Sequence, residues 1–142
     1  MILAVVPITT AIAGAAALMN LWLAIRVGQY RTKSKIMLGD GGDPQLIAHM
    51  RAHANYVEYT PFILILILVL ELRHGPSLWL WAIGAIYIVG RICHAIGMTT
   101  ADLRVLRAVG TAVTMLTLLG LAVFATYTAF DGSLPVQRHI QA

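Results

Sequence analysis

Charge-free apolar runs separated by short polar clusters dominate the chain. Residues 2–25 and 108–130 contain no charged side chain. Each supplies about 34 Å or more of helix at 1.5 Å per residue, enough to cross roughly 30 Å of hydrocarbon with some tilt. Two shorter runs lie between them. The interval from Glu58 to Glu71 gives only about 18 Å and residues 75–90 about 24 Å. Each inner helix therefore crosses only by taking a flanking ionisable group with it. For one that group is Glu58, with Asn55 and Arg51 behind it; for the other it is Arg91. Such groups cost about 2.5 to 3.5 kcal/mol at the bilayer centre and less near the interface, so they normally face protein and carry function.

The pattern predicts an all-α chain: a single integral membrane domain of four antiparallel helices, at about residues 2–29, 45–72, 76–98 and 102–130, in an up-down-up-down bundle. The punctuation fits. Asp43 before Pro44 reads as an N-cap with proline at the first helical position, and Gly75-Pro76 is expected to play the same part for the third helix. Small residues cluster in the first helix (Ala11, Ala13 to Ala17) and recur in the third (Gly84, Ala85, Gly90), as ordinary bundle packing requires.

Composition agrees, with 59% hydrophobic and 11% charged residues, outside the range of ordinary soluble domains. The formal charge of +4 is laid out by topology and does not indicate nucleic acid. Arg26, Arg31, Lys33, Lys35 and Arg51 flank the first loop, and Arg91, Arg104 and Arg107 the third. The positive-inside rule then makes those two loops cytoplasmic and puts both termini on the far side. Without a basic n-region and short h-region, the first run is expected to remain as a span. Its brevity and compact loops suit a bacterial inner membrane. The single cysteine, Cys93, excludes an intramolecular disulfide and reads as a packed apolar residue.

The polar residues of the inner helices are patterned. Arg51, Asn55 and Glu58 are spaced i, i+4, i+7 and share one helix face. Tyr87, Arg91 and His94 repeat the spacing on the third helix, and Arg104 and Arg107 are one turn apart at the start of the fourth. In an up-down-up-down bundle these residues and Arg26 converge at one membrane face. One carboxylate among several guanidiniums suits an anionic ligand, with Glu58 either pairing an arginine or accepting from a ligand ammonium. Plainer readings remain open at this point. Arginines at helix ends anchor topology, and Glu58 with Arg51 makes a structural pair. His49 and His53 are spaced for haem or metal, but no second pair at matching depth accompanies them, and no metal is expected.

RAHANYVEYTP leading into an apolar helix, then GRICHAIG, then LRVLRAVG, resemble the membrane-associated proteins in eicosanoid and glutathione metabolism, the MAPEG family, over about residues 11–130. The resemblance implies a homotrimer of four-helix protomers, with glutathione as co-substrate between adjacent subunits near the cytoplasmic face. It implies that Arg51, Asn55, Glu58 and Tyr59 contact glutathione from the second helix and His94 from the third. Arg107 is the better match, with Arg104 one turn earlier, to an arginine that assists the thiol. Arg26 corresponds to a first-helix arginine that reaches the ligand. The sequence departs from family patterns at Met98, where some eicosanoid-forming members carry tyrosine, and at Ala54, where the prostaglandin E synthase branch carries arginine. Both departures argue against a specific eicosanoid reaction.

Together the residues and the resemblance predict a glutathione transferase or peroxidase. Arg51, with Arg26 or Arg91, would hold carboxylates, Glu58 the ammonium, and Arg107 the thiolate, which attacks an apolar electrophile or lipid hydroperoxide from the bilayer. The alternative is a non-catalytic protein that binds or presents lipid on the same fold. A small transporter is the weaker third reading, because one ionisable cluster at one face offers no midplane relay.

Overall fold

The computed structural model describes residues 5–131. Residues 2–4 of the expected first helix lie outside them. Four helices follow one another: α1 (Pro7–Ser34), α2 (Pro44–His74), α3 (Leu78–Thr99) and α4 (Arg104–Phe130), the last preceded by a 3₁₀ turn at Ala101–Leu103. All four are long and apolar enough to cross a membrane. Their outward faces are apolar too, with Leu18 71%, Phe62 62% and Leu116 69% exposed. A water-soluble bundle would instead turn a polar face outward.

The interior is a narrow column. At one end Ile8 and Ile12 of α1 meet Ile63, Ile67 and Leu70 of α2, with Leu80 and Tyr87 of α3 and Leu121 of α4. Towards the other end Ala16, Met19 and Leu23 pack against Tyr56 and Ala95. Pro61 interrupts α2 and leaves the Val57 carbonyl without its usual N–H partner. One residue earlier, Thr60 donates to the Tyr56 carbonyl (2.6 Å) and meets the Tyr87 hydroxyl (2.7 Å), while the Tyr56 hydroxyl donates to the Ala16 carbonyl at 2.7 Å. This chain ties α1, α2 and α3 together in a setting where water cannot satisfy the groups.

The helix ends correct the sequence reading in places. Asp43 caps α2 as expected, accepting from the backbone N–H of Gln45 (2.8 Å) and Leu46 (3.1 Å). Asp43→Ala is expected to cost about 1 kcal/mol, measurable as a lowered melting temperature in detergent. The third helix instead begins beyond Gly75-Pro76, with extended Ser77 as its first flanking residue. The first runs past residue 29 to Ser34, where Lys35 in the left-handed region closes it with bonds to the Arg31 and Thr32 carbonyls. Arg31 then donates to the Gly39 carbonyl (2.7 Å), fastening the loop.

Glu71 has a role that local sequence did not suggest. The first turn of α1 has no capping side chain of its own. Glu71, at the far end of α2 and only 2% exposed, accepts from the Ile8 N–H (2.9 Å), the Thr9 N–H (2.7 Å) and the Thr9 hydroxyl (2.7 Å). A carboxylate is the right charge for a helix start, and here it is supplied across the bundle. Glu71→Ala leaves two enclosed N–H groups without partners and is expected to cost about 2 kcal/mol; melting in detergent reads this, and an unchanged midpoint would contradict it. At the same end of the bundle Arg73 donates to the Thr128 carbonyl in the last turn of α4.

Of the small residues, Gly84 and Gly90 of α3 pack as expected, against Ile12 and Val113, while the α1 cluster does so only in part. Ala16 is buried, but Ala11, Gly14 and Ala17 face outward, and a Cβ on Gly14 would meet nothing. The close approach lies between α3 and α4. A Cβ on Gly97 would overlap the Arg107 backbone, and one on Gly110 would overlap the Gly90 carbonyl and the backbone of His94.

Candidate functional site

Between α2 and α3 lies a polar cavity of about 360 Å³, lined by Arg51, Ala54, Asn55, Glu58, His94 and Met98. Its size falls within the range of small-molecule sites, about 300–1,000 Å³. The i, i+4, i+7 face of α2 points Arg51, Asn55 and Glu58 into it. Arg51 and Glu58 are exposed, so the cavity opens on the outside of the chain. From α3 comes His94, 5% exposed, held by the α4 backbone at Gly110; its Nδ1 is enclosed without a partner.

A second cavity of about 290 Å³ adjoins the first across Met98. Arg104 and Arg107 line it, with Gln45 and Thr99. Both arginines are exposed. The backbone of Arg107 sits directly against Gly97, so the start of α4 is set by the absence of a side chain on α3. Ala54 and Met98, the two positions that depart from family patterns, both line the first cavity.

Two expected ligand contacts stand elsewhere within the chain. Arg91 is 1% exposed. It lies behind the cavity, where its Nη1 donates to Asn55 Oδ1 (2.9 Å) and Thr114 Oγ1 (3.1 Å) and its guanidinium lies 5.6 Å from the Tyr56 ring centroid. With Oδ1 of Asn55 occupied, its Nδ2 donors are the end left for the cavity. Arg91 therefore positions Asn55. Arg26 does not line the first cavity; its Nη2 donates at 2.6 Å to Thr99 Oγ1, a residue in the wall of the second. Its separation follows from α1 packing on the side of α2 away from the Arg51 face. Tyr59 is half-buried and lines neither cavity.

Thr114, Gly97 and Gly110 were not singled out in the sequence. Thr114, one turn beyond Gly110, gave the only available signal: a hydroxyl in an apolar helix tends to serve as interhelical glue. His49 packs on the Tyr30 ring (centroids 5.1 Å) and His53 Nε2 meets Asn20 Oδ1 at 2.9 Å. Among the described residues no three His, Cys, Asp or Glu side chains converge.

The chain is 33% identical over 82 residues to the inner membrane protein YecN of Escherichia coli, in strain K12 and in an O6:H1 strain. The aligned part is 57% of this chain and 62% of the relative, so the chain spans less than two thirds of the length of the curated relatives it matches. Four apolar helices and this likeness make it a multi-pass integral membrane protein. The sequence profile of the MAPEG family matches residues 9–127, most of the chain and both cavities, and the chain belongs to that family.

Proposed function

We propose that the protein is a membrane-bound glutathione transferase or peroxidase, activating the glutathione thiolate against apolar electrophiles or lipid hydroperoxides. The observation that carries this reading is the pair of adjoining cavities. One holds a cation, an anion, an amide and an imidazole from two helices; the other presents Arg104 and Arg107 one residue away, across Met98. Glutathione has two carboxylates, an ammonium and a thiol. Arg51 suits a carboxylate, Glu58 the ammonium, and the donors of Asn55 a carbonyl or carboxylate oxygen. A guanidinium at the positive start of α4 suits the thiolate.

Arg107 is the group assigned to the thiol, because its backbone is fixed by Gly97 while Arg104 lies a turn nearer the loop. His94, enclosed and with a free ring nitrogen, is assigned to the ligand's peptide. Both cavities open outward, which supports a self-assembled form, a homotrimer in which a neighbouring copy closes the site. In such an assembly Tyr59 is expected to reach the ligand from the α2 face. The bilayer supplies the apolar second substrate.

The test is calorimetry and ultraviolet thiolate absorbance on the purified protein in detergent. Glutathione is expected to bind and to show a thiolate signal near neutral pH. Glu58→Ala is expected to weaken binding about tenfold, the scale of one charge-assisted hydrogen bond, while leaving the thiolate signal at saturation. Absence of both binding and signal in the wild type would sink the reading and favour the non-catalytic lipid-binding one.

A further inference from the structure

One face of α1 changes character along its length. Leu18 and Trp22 line an apolar groove of about 310 Å³ against Ile88 and Ile92 of α3. One turn on, the Arg26 guanidinium stacks 4.8 Å from the Trp22 ring centroid and bonds Thr99, further along the same helix α3. Beyond that, Arg26 and Lys33 line a notch of about 180 Å³ with Gln29, Tyr30 and His49. No carboxylate lines the notch itself, with Asp43 beside it accepting from the Tyr30 hydroxyl at 3.5 Å, and Arg26 Nη1 is enclosed without a hydrogen-bond partner. Trp22 lines the groove and stacks on Arg26, which lines the notch, so the two follow one another along α1.

Counted from Pro7 at 1.5 Å per residue, Trp22 is about 22 Å and Arg26 about 28 Å along α1, close to the roughly 30 Å that a span needs to cross the hydrocarbon. Tryptophan and arginine are the side chains that settle at the boundary of the hydrocarbon.

We propose that the groove and the notch together bind an anionic phospholipid: its phosphodiester rests in the notch at Arg26 and Lys33, and one acyl chain lies in the groove between α1 and α3. Two cations with the Gln29 amide match the several acceptor oxygens of a phosphodiester. The apolar groove starting at Trp22 requires that the anion carry a hydrocarbon chain, and charge complementarity selects an anionic over a zwitterionic head. The site is separate from the cavity lined by Arg51 and Glu58 and meets the second cavity only through the Arg26–Thr99 bond; its test uses no glutathione.

Delipidated protein is titrated, by native mass spectrometry and by melting, with phosphatidylglycerol, with phosphatidylcholine of the same chains, and with inorganic phosphate. The wild type is expected to prefer phosphatidylglycerol about twentyfold, with inorganic phosphate giving no stabilisation. The combined Arg26→Ala/Lys33→Ala change is expected to remove the preference, at about fivefold per cation. Lys33→Ala alone, an exposed side chain, is expected to lower it about fivefold and carries the test if the double variant does not fold. Ala15→Phe, which fills the groove, is expected to weaken both lipids. Equal binding of the two lipids, stabilisation by phosphate alone, or a folded Lys33→Ala protein with its preference intact would each overturn the proposal.

Discussion

Arg107→Ala is expected to lower glutathione-dependent turnover about tenfold or more near neutral pH and to move the rate–pH profile upward by about two units, with glutathione affinity little changed. The size follows from the thiol. At a pKa near 8.5, only about 3% of a free thiol is thiolate at pH 7. A guanidinium that stabilises the anion by roughly 2.7 kcal/mol lowers that pKa by about two units and raises the thiolate share about 25-fold. The less basic thiolate is also a weaker nucleophile, which takes back part of the gain; orientation by the fixed guanidinium adds to it. The profile is the more telling readout. Arginine remains charged throughout the range, so the wild type should plateau at lower pH while the variant keeps rising towards the free thiol's pKa. Equal losses in affinity and turnover, with no movement of the profile, would make Arg107 a binding residue.

Gly97→Val is expected to be more damaging still. A Cβ at Gly97 runs into the backbone nitrogen and Cα of Arg107 and the carbonyl of Leu103. These are main-chain atoms at the start of a helix and cannot rotate away. The two helices must part, at a cost of about 3 kcal/mol or more, and the start of α4 moves with them. Loss of the folded protein in detergent, or survival with turnover reduced as in Arg107→Ala, is the expected pair of outcomes. Gly120→Ala is the control, since a Cβ there meets nothing and glycine-to-alanine in a helix is neutral or mildly favourable. If Gly97→Val melts and turns over like that control, the packing argument fails.

Much of this was legible along the chain because hydropathy and helical spacing are local properties. Four helices were expected and four are present, and the Arg51, Asn55 and Glu58 face required only a period of 3.6. What escaped depends on relations between helices. Periodicity gives the side of a helix on which Arg91 lies but not its neighbour, and in the bundle that neighbour is Asn55, so the arginine stands behind the cavity. Arg26 shares a membrane face with the other arginines, yet which side of the bundle it occupies is fixed by how α1 packs, and that keeps it out of the cavity of Arg51 and ties it to Thr99. The cluster of small residues in α1 stands out by density, while Gly97 and Gly110, which join Gly90 in setting the α3–α4 distance, are isolated in sequence and matter only for what stands opposite them. The start of α3 slipped past Gly75-Pro76 because Ser77, still extended, precedes the first helical residue.

Glu71 was missed for the same reason, and its position bears on how the chain is made. The opening turn of α1 emerges from the ribosome long before the residue that completes it. Until α2 has been synthesised and threaded back to the same side, the amides of Ile8 and Thr9 lack their acceptor. An α2 inserted the wrong way round would leave that acceptor at the opposite surface. The carboxylate is thus expected to favour a correctly oriented first hairpin, and chains lacking it are expected to show a larger protease-sensitive fraction after membrane insertion.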